Sequence, residues 1–459
     1  MEGEAGRPRA VFMAFGTKGD VYPIAAIASA LSCDRKDYDI MLITHSAHKE
    51  GWNLAELFQV CCVVAAPYVV PYSANSKMSC RFYTGIFKKH LVTRYGCLRS
   101  VKVQLASLVT VLLRLGILEE RLFEVKPHPI HSQYFFSRYG FSKEVVECPG
   151  YWPPNVHACG FWFLPMDWQF SCAQCRERML HRSANLTMAE ELCSSHAALE
   201  DFTKGSSPSC RPIFVGLSSI GSMGYIVNPR AFLLVLKAVS ERAAHRFILF
   251  SSGYEPLDAA IGLMGDESPT PVQRPQSGCA GGCALLFENR LFCFSGNVPY
   301  SWLFPRCAAV IHHGGSGSTA AAVAAGVPQV VCPFAMDQFY WAERMHWLGL
   351  APEPLQRGSL VPEDDDAATI ERAAHAVMGA IESALSPGVR SRAAEVADRV
   401  SMEDGIAAAL KILQQQVLRP REGDREVKKS EVEFGEEALP PASETVKILE
   451  THLFETIEH

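Results

Sequence analysis

The chain has 459 residues, 48% of them hydrophobic and 20% charged, which is the composition of a globular protein with two or more domains. Its formal net charge of -6 argues against a nucleic-acid partner. Residues 1–9 are polar and no apolar run reaches the roughly 18 residues of a membrane span. The expected location is therefore cytoplasmic, with any membrane contact peripheral.

Residues 11–15 form an apolar run that reads as a strand. Gly16-Thr17-Lys18-Gly19-Asp20-Val21-Tyr22-Pro23 follows as a glycine loop, with Gly16, Thr17 and Gly19 at its turn. A helix to about residue 31 comes next, its buried face made by Ile24, Ile27, Ala28 and Leu31. Asp20 lies where loop meets helix. A carboxylate there can cap the helix or act as a general base, and the residues alone favour the cap. Residues 38–44 and 60–66 read as the next strands, with one helix over 49–58. Residues 77–126 hold ten Lys or Arg against three acids, and an apolar helix near 101–115 too short to span a bilayer. It reads first as a core helix with a solvated basic face, and otherwise as a membrane-surface or cleft-lining helix.

The sixteen cysteines are expected to be reduced. Cys172-x-x-Cys175 could open a zinc site with Cys193 and Cys210, but that second pair lacks the close spacing zinc needs, so ordinary thiols and no metal are expected. Residues 171–210 read as an interdomain linker. A second lobe starts with a strand at 212–216, and Ser219 follows it in a serine-rich loop. Residues 246–250 are another strand and 265–284 a surface loop. A loop over 296–305, with Val298, Pro299 and Trp302, precedes the next strand. Helices run from 361 to about 418, and 419–459 is a charged tail expected to be disordered.

The most informative stretch begins at residue 308. A short buried strand leads into His312-His313-Gly314-Gly315-Ser316-Gly317-Ser318-Thr319, an alanine-rich helix, Gly326-Val327-Pro328, a second strand, and then Pro333-Phe334-Ala335-Met336-Asp337-Gln338. Glycines let backbone approach a ligand, and a helix start offers unpaired N–H groups and partial positive charge. Histidines and hydroxyls add donors, so a phosphate or diphosphate suits the place. Gly315-x-Gly317-x-x-Ala320 also fits the loose dinucleotide fingerprint, with Asp337 near the distance of a ribose contact. That pattern leaves the paired histidines unexplained. No phosphate-binding G-x-x-x-x-G-K-[ST] motif occurs.

HHGGSGST, AGVPQ and PFAMDQ, preceded by GTKGDVYP about 290 residues earlier, resemble the signatures of sterol 3-beta-glucosyltransferases and related UDP-glycosyltransferases of the GT-B fold. Ser318 stands for the family's Thr, Lys18 for Arg and Tyr22 for Gln. The resemblance implies an α/β chain of two Rossmann-like lobes with parallel sheets facing across a cleft. The N-terminal lobe would be abridged, because the family carries several dozen more residues after the position of Thr44. The implied division is an acceptor-side lobe over 1–170, the linker, a UDP-sugar lobe over 211–418 and the tail. His313, Gly314, Gly315, Gly317, Ser318, Thr319 and Ser219 would hold the donor diphosphate, and Asp337 and Gln338 the sugar. Val298, Pro299 and Trp302 would flank the uridine. The resemblance moves Asp20 from cap to base. UDP-glucose would be a co-substrate, with no cofactor or metal, and a sterol or similar lipophilic alcohol the acceptor, glucosylated with inversion. Two readings stand beside this one: a nucleotide-sugar- or lipid-binding protein with little turnover, and a dinucleotide oxidoreductase.

Overall fold

The structure is a computed structural model that describes residues 10–13, 18–33, 40–44, 61–66, 135–147, 156–170, 172–184, 192–204, 211–243, 245–266, 283–296 and 298–416. Gly16, Thr17, the helices expected within 49–58 and 101–115, Cys210 and the tail 419–459 lie outside these residues, and the loop expected over 265–284 is described only at its two ends.

Two sheets carry the fold. The first contains β1 (Ala10–Met13), β2 (Ile40–Thr44), β3 (Cys61–Ala66), β4 (Phe135–Tyr139) and β5 (Val156–Ala158). They lie side by side in chain order, each parallel to the next. The second contains β6 (Ile213–Gly216), β7 (Phe247–Phe250), β8 (Cys283–Leu286), β9 (Leu291–Phe294), β10 (Ala309–His312) and β11 (Gln329–Val331). Its order is β11-β10-β6-β7-β9-β8, parallel except for the edge strand β8. Strands β6, β7, β9 and β10 are buried at every position, as their continuous apolar sequences require in a sheet covered on both faces.

Helices cover the second sheet by familiar local rules. Asn228 caps the helix Pro229–Arg242, its side chain accepting from Ala231 N at 3.0 Å, and Pro229 takes a first-turn position where a missing N–H costs nothing. Phe232, Val235, Leu236 and Val239 of this helix pack with Ile213, Val215, Leu249 and Ile311. Asp366 caps the helix Ala367–Ala384 by accepting from Ala368 N and Thr369 N.

A separate apolar cluster joins elements of the two sheets. Phe141, Val145, Ala158 and Phe161 pack with Trp341, Met345, Val396 and Val400, and Arg344 Nε donates to the Val145 carbonyl. The helix Gly405–Gln416 begins against Gly160, where a Cβ on Gly405 would lie 2.3 Å from the Phe161 oxygen.

Two boundaries differ from the sequence reading. The first helix runs from Lys18 to Cys33 with Pro23 inside it. Asp20 is thus its third residue and not its N-cap, a position where a carboxylate still favours the helix dipole. Residues 171–210 are not a bare linker. The helices Ala173–Ala184 and Ala197–Thr203 place Cys175, Met179, Leu199 and Phe202 in a core with Phe292, Phe294 and Val310 of the second sheet. The apolar residues among the Ser and Cys of this stretch have the spacing of packed turns, which the composition alone hid.

Candidate functional site

In the second sheet the chain moves outward from β6 to β7, then returns to the other side of β6 for β10. The loops leaving the carboxyl ends of β6 and β10 therefore diverge, and such a switch point is where open parallel sheets bind ligands. The parallel register His312↔Gly216 puts those two ends side by side. Gly314 and Gly315 leave from one, and Leu217, Ser218 and Ser219 from the other.

His312 closes the strand as a structural group. It is fully buried, its Nδ1 accepts from Gly314 N at 3.1 Å, and its Nε2 lies 2.8 Å from Gln329 Oε1. An Nδ1 that accepts leaves the proton on Nε2, which donates to Gln329. Burial holds this imidazole neutral, its pKa lowered to about 4 despite the Gln329 bond. Gln329 lies two residues before Val331, the register partner of His312, so the two polar side chains share one face of the sheet.

His313 differs. It is 7% exposed, and its Nδ1 is buried with no hydrogen-bond partner. Burial, then the neighbouring His312, lower its pKa to about 3. A neutral ring nitrogen left unpaired costs about 1–3 kcal/mol, so it calls for an occupant. The ring packs over Gly315, where a Cβ would lie 2.5 Å from Nε2. Gly314 is held at φ +87°, and a Cβ there would lie 2.9 Å from both Gln338 O and Val331 Cγ1.

The helix Ser316–Ala324 starts at this point, with Gly315 at its N-cap and no side chain capping it. The first N–H paired back to Gly315 is that of Thr319, at 3.0 Å. The amides of Ser316, Gly317 and Ser318 thus lack carbonyls within the helix. Thr319 Oγ1 is buried and also unpartnered. Ser318, in contrast, hydrogen-bonds Tyr300, whose pKa burial raises to about 12. Tyr22 lies near Tyr300, and its helix Lys18–Cys33 contacts the helix Ser316–Ala324.

On the other side, Pro333–Asp337 follows β11. Gln338 Oε1 accepts from Phe334 N at 2.9 Å and Ala335 N at 3.1 Å, which folds the loop. Asp337 Oδ2 accepts from Trp341 Nε1 at 3.0 Å. Met336, just before them, is left-handed, φ +54°, and exposed, a strained position of the kind found at ligand clamps.

Comparison with known proteins points the same way. Residues 292–402 match the family described as erythromycin biosynthesis protein CIII-like, C-terminal domain. Sterol 3-beta-glucosyltransferase UGT80B1 of Arabidopsis thaliana is 28% identical over 272 residues, 59% of this chain and 33% of the relative. UGT80A2 of the same plant is 41% identical over 132 residues, 28% of this chain and 19% of that one. O-mycaminosyltylonolide 6-deoxyallosyltransferase of Streptomyces fradiae is 26% identical over 279 residues, 60% of this chain and 49% of that one. Over a quarter to three fifths of its length the chain is similar to sterol 3-beta-glucosyltransferases. It spans a third or less of the length of the two plant relatives. The glycosyltransferase of kitacinnamycin superposes with a TM-score of 0.52 at 12% identity, covering 90% of this chain and all of that one. CalG4, the calicheamicin glycosyltransferase, does so at 0.50 and 15%, covering 90% and 99%. The fold is GT-B.

Most residues singled out by this family's motifs gather at the strand ends. His313, Gly314, Gly315, Gly317, Ser318 and Thr319 follow β10, Ser219 sits half-buried after β6, and Val298 and Pro299 follow β9. Trp302 corrects the sequence reading. It is 2% exposed in the core with Phe292 and Val310, and Arg306 covers its ring at 4.4 Å, so no face is left for a uridine. Motif position could not show this, because an aromatic one turn into a helix points to either side with equal ease. His312, counted with His313 among the donors, is instead committed to Gln329 and Gly314 N; Tyr300 and Gln329 were not picked out, although a Gln opening a buried strand is the type of polar residue that needs a partner. Cys172, Cys175 and Cys193 are free thiols, as the sequence reading expects, and they meet His196, with donor atoms within 4.8 Å of one another. Among the described residues no helix is long and apolar enough to cross a membrane.

Proposed function

We propose that this chain is a UDP-dependent glycosyltransferase that takes glucose from UDP-glucose and transfers it to the hydroxyl of a sterol or similar lipophilic alcohol. The carrying observation is the unpartnered Nδ1 of His313 beside an uncapped helix start at the switch point. A diphosphate supplies what that geometry lacks: acceptor oxygens for the amides of residues 316–318 and for Thr319, and negative charge at the positive end of a helix. An Nδ1–H tautomer of His313 would donate to the same oxygens. Gln338 Nε2 and the Asp337 carboxylate would take the sugar hydroxyls. Asp20 would remove the acceptor proton as the oxygen attacks the anomeric carbon, giving inversion, while the helix start and His313 stabilise the charge on the departing UDP. The reading needs no cofactor and no catalytic metal. The sterol acceptor is supported by the plant and fungal relatives, and the macrolide sugar transferase relative keeps other lipophilic acceptors in view.

A donor-binding protein with little turnover is the second reading. It is favoured by the first sheet, whose described strands run in one unbroken direction with no switch point of their own. Donor and acceptor tests separate the readings. UDP-glucose, but not NAD, is expected to raise the melting temperature. His313→Ala should lose about 1.5–3 kcal/mol of UDP-glucose binding by calorimetry, the worth of a hydrogen bond to a charged group. Unchanged affinity in that variant would sink the assignment. Glucosylated sterol formed by the full chain supports turnover, and donor binding without product supports the second reading.

A further inference from the structure

The sequence joins two short spacings, Cys172-x-x-Cys175 and Cys193-x-x-His196, separated by 17 residues. Each pair lies at a turn. The first opens the helix Ala173–Ala184, and the second straddles the single 3-10 turn Ser194–His196. Two residues between ligands is the spacing that lets one turn present both to a single ion.

The geometry fits a tetrahedron. Cys172 Sγ lies 3.7 Å from Cys193 Sγ. His196 Nδ1 lies 3.4 Å from Cys175 Sγ and 3.3 Å from Cys193 Sγ. Zinc bonds of about 2.3 Å to sulfur and 2.0–2.1 Å to nitrogen at tetrahedral angles place two sulfurs about 3.8 Å apart, and a sulfur and a nitrogen about 3.6 Å apart. A disulfide would need the sulfurs at about 2.05 Å, far closer than Cys172 and Cys193 are. Three of the four residues are buried and Cys172 is half-buried, so the set is closed to a substrate.

The surroundings hold the donors in place. Cys193 N donates to Cys175 Sγ at 3.4 Å, the kind of amide–sulfur bond that favours a thiolate. Leu192 N donates to Glu200 Oε2 at 2.9 Å, and Arg178 Nη1 donates to the Leu192 carbonyl at 2.9 Å. The His196 ring meets Phe294 edge to face at 5.6 Å, which fixes its Nδ1 toward the sulfurs.

We propose that Cys172, Cys175, Cys193 and His196 form a structural zinc site that fastens the segment 172–204 to the second sheet. Binding releases the three thiol protons and leaves His196 neutral, so the occupied site carries one net negative charge. Arg176 and Arg178, on the helix Ala173–Ala184, donate to the Phe170 and Leu192 carbonyls. The site stands apart from the glycine-rich loop: its ligands come before β6, and the loop follows β10. Its role is to hold Leu192, Leu199 and Phe202 against Phe292 and Phe294.

Elemental analysis of the purified full-length chain tests this directly. About one zinc per chain is expected after exhaustive dialysis, as a four-coordinate structural site retains its metal. Cobalt put in its place should show the intense visible bands and sulfur-to-metal charge transfer of a tetrahedral thiolate site. Cys175→Ser and His196→Ala should each lower metal retention, and Cys283→Ser, a thiol outside the cluster, should leave it unchanged. Should the ligand variants fail to fold, the wild-type metal content and cobalt spectrum still decide. A folded chain without metal after incubation with zinc, a Cys172–Cys193 disulfide found by mass spectrometry, or iron in place of zinc would each overturn the assignment.

Discussion

The two sheets of this chain are built from the same kind of strand and differ in the order they take. The second reverses direction between β6 and β10, so neighbouring strand ends send their loops apart, the topology at which open parallel sheets bind ligands. The first runs β1 to β5 without reversal among the described residues, and such a sheet makes no crevice by topology alone. Whatever the first sheet contributes must come from individual side chains on its loops and helices. On the proposed function, the comparison teaches a division of labour: one sheet would hold the donor by architecture, and the other would act on it through a few residues of the helix Lys18–Cys33. Each experiment below presses on one side of that division.

The largest effect is expected at Asp20. Asp20→Asn should lower turnover by roughly 10²–10⁴, the usual contribution of a positioned general base, while affinity for UDP stays near wild type. Kinetics beside calorimetry on the same protein read both quantities. A parallel loss of UDP affinity would break the division, since the first sheet would then share in donor binding. A drop in folding stability with normal turnover per folded molecule would make Asp20 a first-turn helix residue and nothing more.

Gly314→Ala tests the opposite side. The residue has φ +87°, where an L side chain is strained, and its new Cβ would meet the Gln338 carbonyl and the branched Val331, neither a flexible tip. A stability loss of about 2–4 kcal/mol in urea unfolding is expected, from backbone strain and overpacking together. Donor binding should fail with it, because the loop cannot keep its shape. A variant as stable as wild type would show that the loop tolerates a side chain and is less tightly built than its contacts imply.

These two residues also show how far the sequence could be read. Gly314 lies in a contiguous motif, and every constraint on it is local or one strand away, so the glycine loop, its strand and its helix were all legible. The reversal that makes the crevice was not, since strand order is a property of the whole sheet and no single stretch encodes it. Trp302 was misplaced because motif order cannot say which face of a short helix is buried. His196 was passed over because Cys210 was weighed as the partner of Cys193, on cysteine identity, when the closer His196 had the better spacing. Asp20 was weighed as a cap because it stands where the glycine loop meets the helix, and the structure begins that helix two residues before it, at Lys18.

The smallest effect concerns protons, and it too belongs to the second sheet. His313 is neutral because packing removes it from water, with a folded pKa of about 3 against an ordinary 6.5. Between those values the unfolded chain binds a proton that the folded chain refuses, so stability rises with pH. The contribution is complete above about pH 6.5 and is lost as the solution is acidified toward pH 3. His312, lowered to about 4 by burial, adds in the same direction. Asp258 and Glu403, raised by burial, act oppositely in the acid range, so the wild-type profile alone is ambiguous. The difference between wild type and His313→Ala isolates the one imidazole. Without ligand, wild type should lose up to about 2 kcal/mol more than the variant between pH 7 and pH 5, by urea unfolding at each pH. Equal losses would mean that the ring accepts a proton at ordinary pH and is open to water. His313 would then be a surface group near the helix start, and the desolvated donor pocket that sets the second sheet apart from the first would not exist.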